Sequence, residues 1–165
     1  MAYGPTYVVR FRRRREGRTD FRHRLRQVIS DKPRIITKLT NRYIWASLSF
    51  YKEGGDEIKT TLCSKVLGER GFSGSLKNTP SAYAFGLLCA KEFLRYTKEA
   101  IIDLGRRPFH KGGRISAFVK GLIEGGLAVP YGEEAAPAKE RLEGKHLKSK
   151  LDFAKLTAAM KAGGK

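Results

Sequence analysis

The stretch from Ile44 to Tyr51 alternates without a break. Ile44, Ala46, Leu48 and Phe50 fall on one side, and Trp45, Ser47, Ser49 and Tyr51 on the other. That period of two describes a strand with one apolar face. A strand cannot stand alone, because its backbone groups need partners and its apolar face needs a cover. Both neighbours are close at hand. Arg34 to Leu39 precedes it, and Ile58 to Cys63, alternating again, follows the turn Glu53-Gly54-Gly55-Asp56. Connections this short predict an antiparallel three-strand meander with one face in the core.

The cover comes from helices. Thr79, with Pro80 at the first helical position, starts one that should run to about Lys98, with Tyr83, Leu87, Ala90 and Leu94 as its inner stripe. Ala100 to Leu104 reads as a buried strand. Strand, helix and strand in succession predict a crossover, so this strand should join the sheet parallel to a neighbour. Ile115, Phe118, Val119, Leu122 and Ile123 mark another amphipathic helix, closed by Gly125-Gly126. Ahead of the sheet, Thr19 or Asp20 caps a helix with Phe21, Leu25, Val28 and Ile29 in one stripe, ended by Asp31-Lys32-Pro33. That helix should dock by its stripe and turn Arg22 and Arg26 outward. The fold class is therefore α/β, in an α+β-like form: a small mixed sheet with helices packed on it. A basic arm over residues 1–17 precedes a globular domain over 18–130, and an extension or tail over 131–165 follows. Gly4, Pro5, Gly17 and the self-repelling arginine run make the arm extended. The Lys-rich end has one helical stretch, expected from Leu151 to Met160.

Charge points to the partner. The chain of 165 residues has 34 Lys+Arg against 16 Asp+Glu, a net charge of +18. Such a balance favours nucleic acid first and an anionic membrane surface second. It is uneven: residues 1–42 hold 13 basic and 3 acidic residues, and the rest hold 21 and 13. Three patches stand out. The first is the run Arg12 to Arg15 with the helix behind it, where a flexible arginine-rich arm can order along an RNA backbone. The second is "KLTNRYIW", with Lys38, Asn41 and Arg42 around a tight turn and Tyr43 and Trp45 beside them, residue types that bond and stack on unpaired bases. The third is Arg106, Arg107, His110, Lys111 and Arg114, interleaved with glycines ahead of a helix.

Enzyme signals are thin. The chain has no GxxxxGK[ST], HExxH or GxSxG motif. His23, His110 and His146 lack ligand-like spacing, and no metal or cofactor is expected. A two-metal nuclease needs converging carboxylates. Asp103 is the one carboxylate on a buried strand, which argues against a nuclease and favours a structural or capping role; a small basic RNA-processing nuclease with Asp103 as one metal ligand is the alternative reading, beside a non-specific RNA-binding module. Cys63 and Cys89, the two cysteines, form no CxxC and read as reduced packing residues. No run of 18 apolar residues predicts a membrane span, and no signal-peptide core opens the chain. A cytoplasmic protein without a membrane or small-molecule partner is expected.

Four stretches then occur in order: "VVRFRRRREGRTDFRHRLR", "KPRIITKLTNRYIWASL", "KNTPSAYAFGLLCAKEFL" and "IIDLGRRPFHKGGRISAFVKGLIEGGLAVP". Together, over roughly residues 5–147, they resemble the L-eighteen family of large-subunit ribosomal proteins that bind 5S ribosomal RNA. The arm and the "NTPSAYAFGLL" helix start resemble the archaeal and eukaryotic branch, and the compact length resembles archaeal members. The resemblance implies a structural protein of the cytoplasmic ribosome, placed in the central protuberance. Its partners would be 5S rRNA, large-subunit (23S-type) rRNA and neighbouring ribosomal proteins, with no catalytic residues. Carried onto this chain, the RNA-facing positions would be Arg10, Arg12, Arg13, Arg14, Arg15, Arg18, Arg22 and Arg26, then Lys38, Asn41, Arg42 and Tyr43, then Arg107, Lys111 and Arg114. Where the family often has Gly-x-His-Arg-Pro-Thr, this chain reads Gly105-Arg106-Arg107-Pro108-Phe109, so contacts specific to that His and Thr are not carried over.

Overall fold

In the computed structural model of the chain, residues 4–72 and 74–147 are described. The stretch expected to be helical from Leu151 to Met160 lies outside them. In chain order the elements are α1 (Arg12–Arg15), α2 (Phe21–Ile29), β1 (Arg34–Leu39), β2 (Ile44–Phe50), β3 (Glu57–Cys63), α3 (Lys65–Glu69), α4 (Thr79–Phe93), β4 (Ile101–Asp103), α5 (Arg114–Glu124) and α6 (Lys139–Glu143), with a 3-10 turn at Glu133–Ala135.

The strands form a four-stranded sheet in the order β3-β2-β1-β4. The meander is antiparallel, with Ile35 opposite Leu48 and Ala46 opposite Leu62. After the α4 crossover, β4 joins β1 in parallel, Ile35 beside Ile102. The mixed sheet expected from the alternation and the strand–helix–strand order is thus what the chain forms. Ile35, Ile44, Ala46 and Leu48 point to one side and are buried with Phe85, Phe93, Phe118 and Leu122 of α4 and α5. Phe85 and Phe118 meet with ring centroids 5.6 Å apart.

α4 and α5 approach almost backbone to backbone at Gly86 and Gly121. A Cβ on Gly86 would collide with the Phe118 carbonyl oxygen and stand 3.0 Å from the Gly121 Cα. Glycine is required there by space. α4 is wrapped by the sheet, α3, α5 and α6 and is buried nearly all round. The stripe expected on it is therefore too narrow, and Leu94 lies just past its end, 37% exposed. Its cap is Asn78, whose side chain accepts the Ser81 N–H at 3.0 Å, so Pro80 takes the second helical position. The helix stops five residues short of Lys98. There the Thr97 hydroxyl donates to the Glu99 carbonyl at 2.7 Å, and the chain reverses to set Ala100 N–H on Ala128 O.

Two N-terminal expectations fail. The arginine run is not wholly extended: Arg12–Arg15 make one exposed helical turn. Glu16 relieves its repulsion, lying 3.6 Å from Arg12 and 3.0 Å from Arg18, and cations sit well at a helix C-terminus. α2 is the larger departure. Its stripe faces outward, with Leu25 59% and Ile29 72% exposed, while Gln27 is buried. Only Val28 of the stripe is half-buried. Past Pro130, where apolar periodicity fades, Leu142 of α6 still packs into the core. Cys89 is buried and free, its thiol pushed well up by burial, and Cys63 is half-buried and free. Among the described residues no helix is long and apolar enough to cross a membrane.

Candidate nucleic-acid interface

The interface begins with what holds α2 against the sheet. The Asp20 side chain caps the helix by accepting the Arg22 and His23 N–H groups at 3.0 and 3.2 Å. The His23 N–H first, helped by the Arg22 N–H and the Arg106 charge, outweighs desolvation and holds its carboxyl below the ordinary value. One turn on, Arg24 reaches Asp56 in the β2–β3 turn at 2.7 Å. Asp56 also lies 2.6 Å from Arg34, the first residue of β1, which is 1% exposed. Arg34 Nη1 is in turn 3.6 Å from Asp103 of β4. Two guanidinium groups and two carboxylates thus alternate beneath α2. Burial pushes the Asp56 carboxyl up, but Arg24 and Arg34 outweigh it and hold it below its usual value. Within α2, the buried Gln27 side chain pairs with the His23 ring one turn back at 3.0 Å.

Above this network lies a cleft of about 610 Å³. Arg13 and Arg18 enter it from the arm, His23 and Arg24 from α2, Lys38 from β1, and Arg106 and Arg107 from the loop after β4. Arg106 ties the loop to the arm: its guanidinium donates to the Gly17 carbonyl. Gly17 has φ +65°, and a Cβ there would run into the same guanidinium. Arg13 is braced by Nε–H donation to Thr19 Oγ1 at 2.8 Å.

The structure therefore brings Arg13, Arg18, Lys38 and Arg107 together. Arg14 and Arg22 share a smaller adjoining pocket with Arg106. Arg10, Arg12, Arg15 and Arg26 are exposed outside both. Asn41 and Arg42 sit exposed at the β1–β2 turn, away from the cleft. Thr40 Oγ1 braces that turn, accepting the Tyr43 N–H at 3.0 Å and donating to the Tyr43 carbonyl at 2.9 Å, with the Tyr43 side chain half-buried. Arg114 opens α5, and Lys111 lies 3.3 Å from Glu134. Among these basic residues only Arg12, Arg18 and Lys111 have a carboxylate within ion-pair range among the described residues. Exposed pairs of that kind contribute little, so these cations face solvent with their charge essentially uncompensated. Residue types alone did not single out Arg24. Arg24 sits amid other arginines and shows itself only through Asp56, 32 positions away. Arg106 was readable as part of the third patch, and its grip on Gly17 was not.

Asp103, the carboxylate on which a nuclease reading rests, is engaged otherwise. Its Oδ1 accepts the Gly105 N–H at 2.8 Å and its Oδ2 faces Arg34. Among the described residues no group of three His, Cys, Asp or Glu side chains is placed to hold a metal ion.

Comparison with known proteins agrees with the sequence resemblance. Residues 5–100 match the family described as "Ribosomal large subunit proteins 60S L5, and 50S L18". Large ribosomal subunit protein uL18 of Methanoregula boonei is 42% identical over 148 residues, covering 89% of this chain and 85% of that protein. The uL18 of Methanospirillum hungatei is 43% identical over the same shares, and that of Korarchaeum cryptofilum is 41% identical over 90% of this chain and 77% of its own length. Matches of this identity over most of both chains leave one conclusion: the chain belongs to the uL18 family of large-ribosomal-subunit proteins, in its archaeal form.

Proposed function

We propose that this protein is a structural constituent of the large subunit of the cytoplasmic ribosome that binds 5S rRNA and helps dock it in the central protuberance. Large-subunit rRNA and neighbouring ribosomal proteins are its further partners. The observation that carries the reading is the convergence of uncompensated cations from the arm, β1 and the loop after β4 in one cleft, in a chain of the uL18 family. No chemical step is involved. Arginines displace counterions from phosphates, and each displaced counterion makes binding more salt-dependent. The arm is tied to the body by a few exposed contacts, the pairs at Glu16, Arg13 with Thr19, Phe11 with Phe21 and Arg106 with Gly17, which RNA can replace as the arm follows its backbone. Asn41, Arg42 and Tyr43, on a braced turn, are placed to set register on irregular RNA, while phosphate contacts position the protein.

Binding to 5S rRNA, measured against a size-matched structured RNA over a series of salt concentrations, tests this. Preference for 5S rRNA should persist at high salt. Changing Arg12 to Arg15 to alanine should lower affinity and reduce the slope of log K against log salt by about 3, with the folded core intact. An unchanged slope would remove the arm as a phosphate clamp. Equal binding of both RNAs, collapsing together with salt, would reduce the protein to a generic polycation.

A further inference from the structure

The loop after β4 has a second side. Adjoining the basic cleft, with which it shares Asp20, His23, Arg106 and Arg107, is a groove of about 690 Å³ that Leu104, Pro108, Phe109 and Tyr131 also line. That volume lies in the range of pockets that take small organic groups. Phe109 is 43% exposed. The Tyr131 ring is fixed, because its hydroxyl lies 2.7 Å from Ser116 Oγ, which itself donates to the Ala135 carbonyl. Arg106 and Arg107 also line it, and neither forms an ion pair among the described residues. The groove thus combines apolar and aromatic side chains with two arginines, and the one carboxylate in its lining, Asp20, is occupied in capping α2.

That combination suits a group that is flat and apolar on its faces and anionic at one end. We propose that the groove receives a single unstacked nucleobase of the bound RNA, with the adjoining phosphate held by Arg106 and Arg107. Stacking on an aromatic ring is open to every base, because each has a π-face. A base inside a duplex presents only its edges, so the groove selects unpaired nucleotides over paired ones. Arginine suits the phosphate through its planar fork. The proposal rests on the RNA-binding reading and adds to it the kind of nucleotide recognised.

The test uses the full chain and two RNA hairpins with the same number of phosphates, one fully paired and one with a single bulged 2-aminopurine. The unsubstituted protein should bind the bulged hairpin about ten-fold more tightly and quench the 2-aminopurine fluorescence. Phe109→Leu should lose both the preference and the quenching while binding the paired hairpin as before, and Phe109→Tyr should keep them. Retained affinity for the paired hairpin also shows that the variant is folded. Equal binding of the two hairpins by the unsubstituted protein, or preference and quenching that survive Phe109→Leu, would overturn the proposal. If 5S preference stands and the bulge effect is absent, the groove alone fails. If the bulge effect stands without 5S preference, the groove holds and the 5S reading falls.

Discussion

The two faces of the sheet are covered by opposite means. α5 has an apolar stripe, Ile115, Phe118, Val119 and Leu122, and buries it. α2 has one too, Phe21, Leu25 and Ile29, and turns it to solvent, where Phe21 meets Phe11 of the arm with ring centroids 5.6 Å apart. The difference lies beneath the helices. Under α4 and α5 the sheet offers Ile35, Ile44, Ala46 and Leu48. Under α2 it offers Arg34, with Asp56 and Asp103 beside it. Rolling α2 to bury Leu25 would withdraw Arg24 from Asp56 and lay hydrocarbon over buried charge, which is costly. An amphipathic period therefore shows that a helix has two sides, and the surface below decides which one docks.

The contrast can be broken from either face. The largest expected effect is on the charged one. Arg34→Met leaves Asp56 and Asp103 without their shared cation and should cost about 3–5 kcal/mol, read as a fall in the urea midpoint. A smaller loss would mean that Arg24 alone neutralises Asp56. On the apolar face, Gly86→Ala forces α4 and α5 apart against a backbone carbonyl and should cost about 1–3 kcal/mol, with the midpoint again the readout. Acid separates the faces without a core substitution. The Asp56 carboxyl is held below its ordinary value of 3.8, so its contribution is complete above that value and is lost as pH falls through the lower folded one. Asp56→Asn should flatten the acid limb of the stability profile. The neighbouring Glu57, held at about 2 by Lys52 and Lys59, titrates in the same region and remains in both proteins. The smallest effect belongs to the exposed stripe. Leu25→Ser with Ile29→Ser should change stability by no more than about 0.5 kcal/mol, whereas a stripe docked in the core would lose several times that.

Much of the architecture was legible because it follows from local rules. The alternation from Ile44 to Phe50, the Gly54-Gly55 turn and the α4 crossover together lead to the sheet order. The ends of α4 were less so. Asn78 competes with Thr79 as a cap, and only the route of the chain toward Ala128 explains a stop at Phe93. α3 and α6 are five residues each, too short to leave a period. At the candidate interface, the exposure of Arg12 to Arg15 was readable from charge alone. That Arg13, Arg18, Lys38 and Arg107 share one cleft was not, because they are brought together by strand pairing and by Arg106 gripping Gly17.

By itself the sequence determined the alternating faces of the strands, the existence of the helices and an excess of positive charge, because each depends on neighbours a few positions apart. Only the tertiary structure decided which side of α2 is buried, how closely α4 and α5 approach, and which cations stay without a partner. Those depend on contacts such as Arg24 with Asp56 and Gly86 with Gly121, made between residues that the chain itself keeps far apart.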